Sequence, residues 1–180
     1  MGRAILTFMK VYDKVENVQM VIRSDWGTKN GERTAIYLNH HKELPIIRDQ
    51  TKDVPHGDIR NIYANCDALI ITSKAGGFEL QSIEAQACGV IPLVNNWTFM
   101  NETVVDEQSG FLVDIENTTT QPDGRIWGNV SVDELAKCMV YCVENQEKIK
   151  SMGIWARKYV QETYDWKTIA DILYQEMGFA

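Results

Sequence analysis

The sequence has no apolar run approaching the roughly 20 residues that cross a bilayer, so no membrane span is expected within its 180 residues. It has no Cys-x-x-Cys pair. Cys66, Cys88, Cys138 and Cys142 lie inside apolar segments, which predicts buried, reduced thiols and a cytoplasmic setting rather than a disulfide framework. It lacks an excess of positive charge: a net charge of −7 excludes the broad basic face that general nucleic-acid binding requires. One anionic ligand is still permitted, because backbone N–H groups supply local positive potential whatever the net charge. Histidine is scarce, with His40-His41 at a polar helix end and His56 alone in a loop, so no metal-ligand cluster is expected. The apolar patch near the start is interrupted by Lys10 and Asp13, and no small-residue cleavage site follows, which favours a helix over a signal peptide. Leu6 stands where a myristoylation signal needs Ser or Thr. Without a secretory signal, the Asn-x-Ser/Thr triplets at Asn96, Asn101, Asn117 and Asn129 read as coincidence.

What is present is an alternation of helical and extended patterns, the mark of an α/β domain with a parallel sheet. Ile5, Phe8, Met9 and Tyr12 share one helical face, and Val18 to Ile22 reads as a strand ending in the loop Ser24-Asp25-Trp26-Gly27. Thr34 to His41 predicts a helix and Leu44 to Arg48 a second strand. Asp58 is the expected N-cap of a helix through Asn65, after the turn-rich loop Asp53 to Asp58. Ala68 to Thr72 is a continuous apolar run, the form of a strand covered on both faces. A helix from Leu80 to Cys88 stops at Gly89, and strands follow at Val90 to Val94 and Gly110 to Val113. Ile115 to Val130 is polar and predicts a long exposed loop. Helices at Ser131 to Val143, Gln146 to Thr163 and Trp166 to Met177 close the chain, with Ser131 and Asp165 as caps. With no internal repeat or domain-sized linker, residues 1–180 read as one domain, sheet-based to about residue 130 and helical beyond.

The segment that carries chemistry is Ser73-Lys74-Ala75-Gly76-Gly77-Phe78-Glu79-Leu80-Gln81-Ser82-Ile83-Glu84-Ala85-Gln86-Ala87-Cys88-Gly89. It describes a buried strand, a Gly-Gly turn and the start of a helix. Two glycines permit left-handed φ values and a close ligand approach, and the helix's first N–H groups favour an anion. Open α/β sheets bind ligands at this carboxyl edge, so a phosphate fits; a plain strand-to-helix turn is the simpler alternative. Glu84 either faces solvent or, half-buried between Ile83, Ala85 and Ala87, takes hydrogen bonds from a ribose diol.

As one string, the segment resembles the signature of the retaining GT-B glycosyltransferases of the glycosyltransferase group 1 (GT4) family. Ser73, Gly77, Phe78, Leu80, Glu84, Ala85, Ala87 and Gly89 match that signature in register. Asp58 to Ala68, Val90 to Val94, Glu102 with Ser109 to Val113, and Tyr164-Asp165-Trp166 resemble its neighbouring stretches, so the likeness covers nearly the whole chain. It implies a Rossmann-like parallel sheet flanked by helices, the C-terminal, donor-binding half of a GT-B fold. The ligand implied is a UDP-, GDP- or ADP-sugar. Glu84 is implied to bind the ribose hydroxyls, and Gly77, Phe78 and Leu80 to approach the diphosphate and sugar through their backbone.

The resemblance also defines departures. The family's sugar-binding glutamate falls on Gly76, and Glu79 stands where the family has glycine. Glu79 either reaches the sugar from this shifted position, the tentative catalytic assignment, or faces solvent. The family's opening strand and its phosphate-binding Arg and Lys have no counterpart here. Lys74 either compensates or is a surface lysine. No bound metal or cofactor is implied, and base contacts are implied for the backbone around Arg48 to Val54. The acceptor is implied to sit on a separate N-terminal domain, with peripheral membrane association of the intact enzyme. Self-association through an exposed sheet edge, and inactivity of these residues by themselves, follow from the same reading. A nucleotide-sugar epimerase of GT-B type and a non-catalytic nucleotide-sugar-binding module are the alternatives.

Overall fold

The computed structural model describes residues 2–24, 26–49 and 54–178, without the side chains of Asn30 and His56. Its elements are α1 (Gly2–Tyr12), β1 (Met20–Arg23), α2 (Lys29–Asn39), β2 (Ile46–Asp49), α3 (His56–Ala64), β3 (Ala68–Ile71), α4 (Leu80–Ala87), β4 (Ile91–Asn95), α5 (Met100–Thr103), β5 (Phe111–Val113), β6 (Ile115–Thr120), β7 (Ile126–Val130), α6 (Val132–Glu144), α7 (Gln146–Thr163) and α8 (Trp166–Glu176).

The sheet is parallel, as the alternating pattern predicts, and it comes in two pieces. β1 pairs with β2, and β3, β4 and β5 pair in that order. Among the described residues no strand joins β1 to β3. The two pieces are held together by side chains instead. Ile5, Phe8 and Val11 of α1 are buried in one cluster with Met20 and Ile22 of β1, Ile91 and Leu93 of β4, and Leu135 of α6. Alternation along each strand sends neighbouring residues to opposite faces. Accordingly Ile71 and Val94 turn the other way and pack with Met100 and Val104 around α5.

Close backbone contact sets the helix layer beside the site. Gly89 ends α4 at φ 80°, a conformation that costs glycine little. Its carbonyl lies against Gly153 of α7, where any β-carbon would run into it. Within α4, buried Gln86 donates to the carbonyl of Thr103 at 2.9 Å, tying α5 to the same helix.

Several sequence expectations are corrected. Ile115 to Val130 is an antiparallel hairpin, β6–β7, rather than a loop. Its first strand is threonine-rich and strand-forming, but Glu116 to Thr120 are exposed, so no apolar alternation marks them. Pro122-Asp123-Gly124 supplies the turn, with Gly124 at φ 84°. α3 starts at His56 after Pro55, without a side-chain cap, so Asp58 lies in its first turn and His56 is helical. β3 is not covered throughout: Ala68, Leu69 and Ile70 are half-buried, and among the described residues β3 has a single hydrogen-bonded neighbour, β4. β4, flanked on both sides, is the strand buried along its whole length. α2 begins five residues early because Thr28 caps it, its side chain accepting from Gly31 N at 3.2 Å. Tyr12 is exposed, and Val11 takes its expected place in the core. The four cysteines are free but half-buried rather than fully buried. Asp25 and Asp53 lie outside the described residues, as do 50–52 of the expected base-contact segment. No helix among the described residues is long and apolar enough to cross a membrane.

Candidate functional site

The loop from Thr72 to Glu79 leaves the carboxyl end of β3 and delivers the chain to α4. Its base is fixed by β4, where fully buried Asn95 donates from Nδ2 to the Ser73 carbonyl. Its middle is fixed by the hairpin. Gly128 N donates to the Lys74 carbonyl at 2.9 Å, and the Lys74 ammonium sits 5.4 Å from the centre of the Trp127 ring, a cation–π distance. Gly128 also permits close packing, since a β-carbon there would stand 2.6 Å from Trp97 Cγ.

Gly76 and Gly77 do not use the left-handed backbone expected of them. The positive φ in this loop belongs to Glu79, at φ 29° and ψ 70°, the residue that enters α4. At this position the signature that the segment resembles has glycine, the residue for which a positive φ costs little. The Glu79 side chain does not cap the helix. Its carboxylate folds back over Gly76, 2.7 Å from where a β-carbon on that residue would be. Beside Gly77 the equivalent space is open to beyond 4 Å. Phe78 and Leu80 are exposed, and the Phe78 ring meets Tyr164 edge-on at 6.2 Å. Tyr164 in turn donates to the Glu102 carbonyl at 2.9 Å.

Glu84 lies four residues beyond Leu80, hence on the same face of α4. It is half-buried, and its Oε2 accepts a hydrogen bond of 3.0 Å from the Tyr63 hydroxyl of α3. Burial raises the Tyr63 pKa well above that of an ordinary phenol, and the bond to Glu84 raises it further. The phenol therefore stays protonated and remains a donor. Cys88, one turn beyond Glu84, also has a raised pKa, chiefly through burial. Arg23, at the carboxyl end of β1, acts electrostatically on Tyr63 in the opposite direction and pairs with Asp49 at the end of β2 at 2.8 Å.

The structure thus brings Gly76, Gly77, Phe78, Glu79, Leu80 and Glu84 to one end of the sheet, around the N-terminus of α4. It adds Tyr63, Arg23, Asn95 and Trp127, to which sequence reasoning gave no role. Tyr63 is in the last turn of α3, and nothing in that helix's pattern marks it; its partner is 21 residues away. Lys74 has a visible partner in Trp127, but the hairpin that presents it was read as loop. Among the described residues, no three His, Cys, Asp or Glu side chains come together as a metal site.

The fold is that of the Rossmann-like C-terminal domains of GT-B glycosyltransferases. It is similar to the C-terminal domain of the glycosyl transferase group 1 family protein LpcC from Francisella tularensis, with a TM-score of 0.72 and 15% identity over 91% of this chain and 78% of that one. It is also similar to HepE from Anabaena in complex with UDP and glucose, with a TM-score of 0.73 and 20% identity over 99% of this chain and 45% of HepE. The chain belongs to the family of glycosyl transferases group 1, whose model matches residues 3–124. In sequence it is 26% identical over 112 residues to the capsular polysaccharide biosynthesis glycosyltransferase CapM of Staphylococcus aureus, which is 61% of this chain and 28% of CapM. It therefore spans under a third of that curated relative and under half of HepE.

Proposed function

We propose that this chain is the donor-binding domain of a retaining glycosyltransferase. It holds a nucleoside-diphosphate sugar while a separate domain, outside these residues, presents the acceptor. The observation that carries the reading is the position of Glu84, one turn behind the open N-terminus of α4 at the carboxyl edge of the parallel sheet. The first N–H groups of α4 face an anion, and the carboxylate on the same helix face accepts from a ribose diol. As the glycosyl bond breaks, charge grows on the departing diphosphate, and fixed N–H dipoles stabilise it without reorganising.

Residues 1–180 act in this reading as one nucleotide-sugar-binding unit, with UDP the first nucleotide to test because HepE forms complexes with UDP and with UDP-glucose. Glu79 takes the place of the missing glutamate at Gly76, since its carboxylate already occupies the space a side chain there would enter. The stacking of Lys74 on Trp127 supports the surface reading of that lysine.

Titration of the chain with UDP, GDP, ADP and their sugars tests the donor site. Weak binding of at least one nucleotide is expected, and Glu84→Ala should abolish it. Failure of all of them to bind would remove the donor-site reading. The substitution at Gly76 favours one competing reading, a non-catalytic binding module. In that case the intact protein would bind nucleotide sugar yet neither transfer nor hydrolyse it.

A further inference from the structure

We propose that Tyr63 is a positioning residue for the nucleotide's ribose: its hydroxyl holds one oxygen of the Glu84 carboxylate so that the other is aimed at the ribose diol. The inference rests on Glu84 being the ribose ligand. The geometry is a 3.0 Å bond from Tyr63 Oη to Glu84 Oε2, joining two different helices, α3 and α4.

A glutamate has three side-chain torsions, and ordering such a chain costs on the order of 1–2 kcal/mol of conformational entropy. A bond already present before the ligand arrives removes part of that cost from the binding step. The chemistry of the partner matters as well. A lysine or arginine at this place would neutralise the carboxylate and compete with the ribose through several donors. A phenol offers a single neutral donor. A carboxylate has about four lone-pair positions, so acceptor capacity remains on Oε1. Arg23, the cation that acts on Tyr63, is itself paired with Asp49, and the donor to the Glu84 carboxylate is the Tyr63 hydroxyl. Both groups are half-buried, where a hydrogen bond is less open to competition from water than at an exposed site.

The alternative is that the bond merely straps α3 to α4. The two roles separate by ligand. Tyr63→Phe keeps the ring and deletes the donor, and UDP is compared with 2′,3′-dideoxyuridine diphosphate, which has no diol for Glu84 to bind. In the wild-type chain UDP should bind more tightly than the dideoxy compound. Tyr63→Phe is expected to weaken UDP binding about five- to tenfold, the scale of one hydrogen bond, and to leave the dideoxy compound unchanged. The ratio of the two affinities is read because partial unfolding scales both by the same factor. Equal weakening of both ligands overturns the proposal, as does no weakening of either, or a Tyr63→Phe chain that fails to fold. A different pattern marks failure of the underlying reading: wild type would not distinguish the two ligands, and Glu84→Ala would leave UDP binding intact.

Discussion

The Glu79 carboxylate lies over Gly76, with Oε1 2.7 Å from the point where a β-carbon on Gly76 would be. The two positions are coupled: the glutamate present at one fills the space that the other leaves. Glu79 also holds a positive φ, which costs a residue with a β-carbon about 1–2 kcal/mol. Gly76→Glu should therefore lower stability by about 1 kcal/mol, through contact and like-charge repulsion with Glu79 and contact with Phe99. Adding Glu79→Gly should recover that loss, because it removes both the clash and the strained backbone. Thermal melts of the two single variants and the double variant check this; strict additivity would show that the positions do not interact.

Gly128 is where the β6–β7 hairpin touches the Thr72–Glu79 loop, donating to the Lys74 carbonyl beneath Trp97. Gly128→Ala would place a methyl group inside the Trp97 ring's contact distance. Overpacking of this kind costs about 1–3 kcal/mol. The expected outcome is a lower melting temperature together with faster proteolytic cutting in the hairpin. An unchanged melt would mean that Trp97 moves aside freely and that the hairpin does not brace the loop.

Burial pushes the Cys142 thiol up to about 12 and the Cys138 thiol up to about 11, from an ordinary value of 9.0. In the folded chain both stay protonated at neutral pH and should alkylate far more slowly than in the unfolded chain. The sign of the stability effect follows from linkage. Each folded thiol holds its proton more tightly than the unfolded one, so its stabilisation is complete below about pH 9 and is lost as pH rises toward the folded values. Melts recorded from pH 8 to 11 should fall more steeply for the wild type than for Cys142→Ala, and iodoacetamide labelling at pH 8 should spare Cys138 and Cys142. Parallel melts of the two proteins would exclude Cys142 as a source of the alkaline loss.

Most of the site's backbone was legible in the sequence because it is local. A short apolar run, two glycines and an apolar-faced helix place Ser73 to Gly89 without help from distant residues. The caps Ser131 and Asp165 were legible for the same reason, their side chains accepting from Glu134 N and Lys167 N. What escaped is long-range. Tyr63 meets Glu84 across 21 residues, and Trp127 reaches Lys74 from a hairpin whose first strand is exposed and gives no burial pattern to read. The strain at Glu79 escaped because the glycine pair drew the expectation of a left-handed residue to itself. The half-burial of β3 escaped because its apolar composition describes the sheet it suits, not the single neighbour it has among the described residues.

The division of the sheet bears on how the molecule comes apart. Within each piece a backbone ladder makes opening cooperative, but among the described residues no strand pairing joins β1 to β3, and the two pieces share a side-chain cluster that includes Ile5, Phe8 and Val11. Packing lost at that seam frees β1, α2 and β2 without breaking a single rung of the β3–β4–β5 ladder. Hydrogen exchange is therefore expected to be faster in β1, α2 and β2 than in the β3–β4–β5 ladder that adjoins Glu84, and uniform protection across both pieces would overturn that expectation.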